Sequence, residues 1–322
     1  MADRARGRTG GDGVLRPVGR VPDHCTAVRP VTSTVSQARA IEGRIEGPVG
    51  APAVLVLGGI SSGKTLTGEG GWWPGVAGPG GALDPARFRL ISADFLNTGE
   101  AGYPSAKEQA RAILGLIALW EIDRVHIVGA SYGGSIGLAI AEAAPGRVSG
   151  VTCISGAHRA DPLATAWRSI QREIAEFGLR HGDGAGALDL ARRLAMTTYR
   201  TRDELRLRFR DPAPGTRDAN GVTAWLEAAG AKYAAKTAPD HFLALSRALD
   251  AVDLDPSRIK VPVHYIAVED DLLVPLADME EAAERTPDAR LTVLRSIYGH
   301  DAFLKEVEAM NALIAADLEA LS

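Results

Sequence analysis

The sequence predicts an α/β fold: a mostly parallel sheet with helices on both faces and a helical cap inserted over one edge. Three observations carry this. Short apolar runs alternate with helix-like segments from residue 53 to 154. The alternation stops near Gly156, and a charge-rich, helix-like stretch without a convincing strand follows. Strand-like runs then resume at Val261. An all-helical insertion between two strands of such a sheet reads as a cap over the carboxyl edge, where open α/β folds bind ligands.

Each element follows from its local pattern. Residues 1–25 are rich in Arg and Gly, lack the apolar stretch of a signal peptide, and read as a disordered tail. Ala53–Leu57 is a continuous apolar run ending in Gly58-Gly59, the mark of a strand buried on both faces. The Gly- and Pro-rich stretch Ser61–Gly81 carries Trp72 and Trp73. Phe88–Ala93 reads as a second strand, and Ser105–Trp120 has helical apolar spacing. Arg124–Val128 is a third strand, and Ser135–Ala144 is a helix stopped by Pro145-Gly146. Val148–Ile154, Val261–Val268 and Arg290–Ile297 complete the strands, and a loose patch lies at Asp211–Gly221. The expected division is a core of residues 26–157 and 256–322, with the cap at 158–255.

Composition narrows the classes. The chain has 322 residues, 46% apolar and 24% charged, enough to bury a large core without staples. A net charge of −4 argues against a nucleic-acid surface. No run of 18 apolar residues suggests a membrane span. Two cysteines, Cys25 and Cys153, fit a reducing cytoplasm rather than a disulfide framework. The histidines lack zinc spacing, so no metal is expected.

Two motifs compete for the function. Gly58–Thr65 matches the phosphate-binding pattern G-x-x-x-x-G-K-[ST] and follows a strand. Such a loop needs a helix next, because helix amides hold the phosphates. Here Leu66–Pro74 follows, with three Gly and a Pro, a poor helix former. The second motif, Gly129-Ala130-Ser131-Tyr132-Gly133, is a G-x-S-x-G between a strand and a helix. That context suits a nucleophile on a strained turn, with Gly on either side for close approach. Its partners should follow in the order acid, then His. Glu269-Asp270-Asp271 lies just past a strand, and His300 lies on a loop after the next one. In such a triad, Ser131 attacks when His300 takes its proton, and the acid orients the imidazole. The oxyanion would take backbone N–H groups from Tyr132 and from Ile60 in the first loop. His126 and His264, inside strands, read as core or sheet-face residues.

At this point the chain resembles the homoserine O-acyltransferases of the α/β-hydrolase fold, over most of residues 53–304. The resemblance rests first on Gly71-Trp72-Trp73 with Gly78-Pro79-Gly80 and Asp84, and on Gly129–Gly134. In the insertion it rests on Ala187–Arg192 leading to Thr198-Tyr199-Arg200, and on Ser246–Asp250. Asp271 with Pro275, and Gly299–Phe303, complete it. The resemblance implies transfer of an acetyl or succinyl group from coenzyme A to the homoserine hydroxyl, the entry to methionine synthesis, with acyl-CoA as co-substrate and no bound cofactor. It places the triad on Ser131, Asp271 and His300, its spacing selecting Asp271 over Asp270. It puts the acceptor's carboxylate on Arg192 and its ammonium on Asp301, and it implies a homodimer through the cap helices. The first loop, Leu57–Ser61, departs from the family's usual His-x-Leu-Thr-Gly type. That loop and the run Ala164–Arg172 resemble the shorter, succinyl-using members. Serine as acceptor, and an esterase acting through the same triad, are the alternatives. One methylene is worth only about 1–3 kcal/mol of discrimination between homoserine and serine.

Overall fold

The computed structural model describes residues 27–31, 41–210 and 221–321. The tail at 1–25 and most of the loose patch after Asp211 lie outside the described residues. An eight-stranded sheet runs through the described chain. Its strands are β1 (Ala27–Val31), β2 (Ile41–Glu46), β3 (Ala53–Leu57), β4 (Arg89–Ala93), β5 (Val125–Ala130), β6 (Val148–Ile154), β7 (Val263–Val268) and β8 (Ala289–Leu294). Their order is β1-β2-β4-β3-β5-β6-β7-β8. The β1–β2 and β2–β4 pairs are antiparallel, and every other neighbouring pair is parallel.

Period-two side chains divide the core between the two faces of the sheet. Leu55 and Leu57 of β3 face one cluster and Val54 and Val56 the other. The first face is covered by α1 (Ala106–Leu119), α2 (Tyr132–Ala143) and, farther along the chain, the helix Leu276–Arg285. Helix α1 starts at a capping box in which Ser105 and Glu108 satisfy each other's backbone amides. On the second face, the helix Val307–Leu318 shares cover with irregular chain from Leu66 to Phe88. The Gly- and Pro-rich stretch is therefore packed structure. Trp73 is 1% exposed, lies 4.9 Å from the Trp72 ring, and donates its indole N–H to the Phe303 carbonyl at 2.8 Å.

Among the described residues, five helices lie between β6 and β7: α3 (Pro162–Arg180), α4 (Gly184–Tyr199), α5 (Arg202–Arg208), α6 (Val222–Ala234) and α7 (Pro239–Asp250). They have their own small core, in which Ala175, Leu188, Ala191, Phe242 and Leu243 are buried. The remaining helices are α8 (Leu276–Arg285), α9 (Ala302–Lys305) and α10 (Val307–Leu318).

The structure corrects several boundaries. Helix α2 begins at Tyr132, not Ser135, and β8 ends at Leu294, not Ile297. The antiparallel strands β1 and β2 were absent from the sequence reading.

Candidate active site

Four strand ends meet at the carboxyl edge. Ser131 follows β5, Ile60 lies just past β3, Asp271 just past β7, and His300 on the loop after β8. Strands β3 and β5 are neighbours, so the first loop runs directly over Ser131. A Cβ at Gly59 would sit 3.7 Å from the Ser131 Oγ.

The turn at Ser131 is strained, with φ 56° and ψ −125°. The chain holds it because strand and helix come very close together. A Cβ at Gly129 would lie 2.4 Å from the Gly133 carbonyl oxygen, and one at Gly133 would lie 2.3 Å from that of Leu57. Only Gly fits at either position. The Gly133 amide in turn donates to the Gly58 carbonyl at 2.9 Å, tying the first loop to the turn.

His300 Nε2 lies 2.9 Å from Ser131 Oγ, and Nδ1 lies 2.7 Å from Asp271 Oδ2. An ionised carboxylate only accepts, so Nδ1 carries the proton and Nε2 is free to accept from the Ser131 hydroxyl. Asp271 is itself fixed: its Oδ1 accepts from the amides of Leu273 and Val274, at 2.8 and 3.0 Å. It is 5% exposed, whereas Glu269 and Asp270 are exposed. Of the three acids in this run, Asp271, the one the resemblance selects, is the one that is buried and bonded to His300. Burial disfavours the imidazolium, but the charge and hydrogen bond of Asp271, with Asp301 nearby, outweigh it and hold the His300 pKa above the ordinary value.

Among the described residues no acceptor takes the backbone N–H of Ile60 or of Tyr132. Helix α2 begins at Tyr132, so its first amide has no intrahelical partner. Ile60, Ser131, Tyr132, Arg192, His300 and Asp301 line one cavity with about 130 Å³ of free space.

Arg192 comes from α4 and has no carboxylate partner among the described residues. Its guanidinium lies between two rings, 4.9 Å from the Tyr199 centroid and 4.8 Å from the Tyr233 centroid. It donates to the Tyr199 hydroxyl at 3.2 Å and reaches Ser61 Oγ at 3.4 Å. Arg193, by contrast, is paired with Asp189 and Glu227. Asp301 is buried and forms an ion pair with Arg200 at 2.9 Å. Sequence reasoning did not single out Tyr233, and Arg168 entered it only as part of the run Ala164–Arg172; both line the cavity. The packing of α3 and α6 brings them there.

The phosphate-loop reading fails on geometry. No helix follows Thr65 before α1, and the Lys64 ammonium is held by Glu42 at 2.6 Å and Asp94 at 2.7 Å. Burial works against its charge, but Asp94 and Glu42 outweigh that and raise its pKa. Lys64 ties the first loop to β2 and to the end of β4.

Comparison with known proteins identifies the family. The sequence profile of the alpha/beta hydrolase fold matches residues 52–307. The chain is 42% identical over 279 residues to the homoserine O-succinyltransferase of Xanthomonas campestris pv. campestris, covering 83% of this chain and 76% of that one. It is 31% identical over 290 residues to the homoserine O-acetyltransferase of Deinococcus radiodurans, covering 83% of each. The crystal structure of the Bacillus anthracis homoserine O-acetyltransferase superposes with a TM-score of 0.80 at 16% identity, over 93% of this chain and 98% of that one, a likeness of fold. Profile, sequence identity and architecture converge: this chain belongs to the homoserine O-acyltransferase family of the α/β-hydrolase fold.

Proposed function

We propose that the protein transfers an acyl group, succinyl in preference to acetyl, from coenzyme A to the hydroxyl of L-homoserine. The observation that carries this is the pairing of a Ser-His-Asp arrangement with a guanidinium, Arg192, that has no carboxylate partner among the described residues, across the same cavity. Ser131 Oγ attacks the thioester carbonyl while His300 Nε2 takes its proton. The oxyanion is held by the amides of Ile60 and Tyr132. The C–S bond breaks, and the proton passes from His300 to the departing thiolate. The homoserine hydroxyl then attacks the acyl-Ser131 ester, with His300 as base again, and Ser131 recovers the proton as it leaves. Arg192 grips the acceptor's carboxylate and Asp301 pairs with its ammonium.

The succinyl preference has its own support. Arg168 and Arg172 share one carboxylate, Asp250, which leaves a net positive charge on the insertion. Arg168 is also part of the cavity wall. The distal carboxylate of a succinyl group would complete that charge, and an acetyl group would not. The five inserted helices act as a cap in this reading.

We also propose a homodimer. On α3, Leu163, Ile170 and Phe177 are 55%, 49% and 58% exposed and recur every seven residues, a stripe suited to the same helix of a second copy. The buried free thiol of Cys153 suits the cytoplasmic setting read from the sequence. No helix among the described residues is long and apolar enough to cross a membrane.

The test of function is a matrix of acetyl- and succinyl-CoA against homoserine and serine, with products read by mass spectrometry. O-succinylhomoserine should dominate. Free succinate as the main product at saturating homoserine would make the protein a hydrolase instead. Ser131→Ala should lower turnover by roughly 10⁴-fold or more.

A further inference from the structure

Arg200 is 7% exposed and sits at the junction of α4 and α5, behind the cavity wall. It faces the loop that carries His300 in two ways. Its Nη2 is 2.9 Å from Asp301 Oδ2, and its guanidinium lies 5.7 Å from the Tyr298 ring centroid. The same junction is fastened to that loop by Thr201, whose hydroxyl donates to the Ile297 carbonyl. Tyr199, the preceding residue, stands 5.9 Å from the His300 ring. On its other side Arg200 meets Glu204, with Nη1 3.8 Å from Oε1. Arg208 approaches the same Glu204 oxygen at 3.5 Å from the exposed side.

Arg200 stands between two buried carboxylates, Asp301 and Glu204, and Arg208 meets only Glu204, from the exposed side. Among the described residues, Arg200 Nε and Nη1 and Glu204 Oε2 have no hydrogen-bond partner. The arrangement fixes Oδ2 of Asp301 and leaves Oδ1 for a cation arriving in the cavity. A lone carboxylate could rotate, whereas one held through a single oxygen presents the other in a set direction.

We propose that Arg200 is a positioning residue for the acceptor's ammonium group. It holds Asp301 so that one carboxylate oxygen points at the amine of the amino-acid acceptor, and Glu204 holds Arg200 in turn. This rests on the reading that Asp301 binds that amine. The end of α4 then sets both acceptor subsites, Arg192 through Tyr199 and Asp301 through Arg200. Acceptors without an amine gain nothing from Arg200.

The experiment compares homoserine with 4-hydroxybutanoate, which has the same carboxylate and hydroxyl but no amine, in wild type, Arg200→Met, Arg200→Lys, Asp301→Asn and the Met/Asn double variant. Stopped-flow measurement first follows release of coenzyme A, then acyl transfer to each acceptor. Arg200→Met should lower kcat/KM for homoserine by about tenfold or more while 4-hydroxybutanoate stays within about twofold, and the double variant should be no worse than Asp301→Asn alone. Arg200→Lys should recover part of the loss, since it restores the charge but not the planar fork. If Arg200→Met does not fold, the Lys variant carries the same comparison. Equal losses with both acceptors, or loss of the coenzyme A burst, would make Arg200 merely structural and overturn the proposal. So would unchanged homoserine kinetics in Arg200→Met when Asp301→Asn is impaired. Full preference for homoserine in Asp301→Asn would instead remove the reading of Asp301 itself, and the proposal with it.

Discussion

Replacing Arg192 with Ala separates a transferase from a hydrolase at one residue. The guanidinium has no carboxylate partner among the described residues, lies between the Tyr199 and Tyr233 rings, and faces the cavity that holds Ser131. A carboxylate bound there makes a charge-assisted, two-pronged contact in a half-enclosed site. Truncating one member of such a pair costs roughly 2–4 kcal/mol, or about 30- to 1000-fold in kcat/KM for the acceptor. Folding stability also falls, because two ring contacts of about 0.5–1 kcal/mol each are lost. The first half-reaction does not involve the acceptor, so the burst of coenzyme A on mixing with acyl-CoA should keep its amplitude and rate. The assay is a stopped-flow thiol measurement followed by acceptor titration of the acylated protein. Arg192→Lys should fall between wild type and Ala, because an ammonium offers a point charge without the fork. Wild-type homoserine kinetics in Arg192→Ala would refute the assignment. A lost burst would place Arg192 in donor binding instead.

Three further outcomes are expected. Asp271→Asn should lower kcat by about 10⁴-fold with the fold intact, because an amide at that position no longer enforces the Nδ1–H tautomer of His300; a loss below tenfold would be inconsistent with the triad. Since the His300 pKa is raised, the neutral base is populated only above that raised value, so the acid limb of kcat/KM for acyl-CoA should lie above the ordinary histidine pKa of about 6.5. The limb should move down in Asp271→Asn, and an acid limb at or below about 6 in wild type would contradict the electrostatics described here. Changing both Ile170 and Phe177 to Asp should convert a dimer to monomer in sedimentation velocity, and an unmodified protein that sediments as a monomer would remove the α3 interface.

The parts of the fold readable in advance were those buried on both faces. Ala53–Leu57 and the strand before Ser131 are continuous apolar runs because helices or packed loops cover both sides of the central sheet. Strand β2 was missed because its signal is alternation rather than a run: Ile41 and Ile45 point inward, and Gly43 occupies the inward position between them. A Cβ at Gly43 would lie 2.4 Å from Leu116 Cδ2, so the residue that weakened the pattern is there for packing. The start of α2 at Tyr132 lies in a Gly133-Gly134 pair of low helix propensity, ahead of the Ser135 start expected from the sequence. At the site, Ser131 and His300 were legible from spacing and order. The residue pattern alone left Asp271 among three acids, and only the spacing implied by the family resemblance selected it; in the structure it is buried and its two acidic neighbours are exposed. Arg200 closes the run Thr198-Tyr199-Arg200 on which the resemblance partly rests, but no role could be read for it from the sequence. Its importance comes from being buried against a loop that begins nearly a hundred residues later.

The distribution of the acceptor groups argues for transfer over hydrolysis. A hydrolase needs only the Ser131, His300 and Asp271 arrangement with the Ile60 and Tyr132 amides, and all of these lie on the core's carboxyl edge. Water has no carboxylate for Arg192 to hold and no ammonium for Asp301. A half-buried guanidinium without an anion is costly, and it becomes favourable when a ligand supplies one. Arg192 stands on the inserted α4 and Asp301 on the core loop after β8, so an amino acid bound to both spans the two layers. An acceptor held by Arg192 and Asp301, as proposed, would occupy the cavity that Ser131 also lines and so displace water from acyl-Ser131. The same contacts that select an amino acid thus protect the acyl-enzyme, and weakening either one should raise the share of free acid among the products.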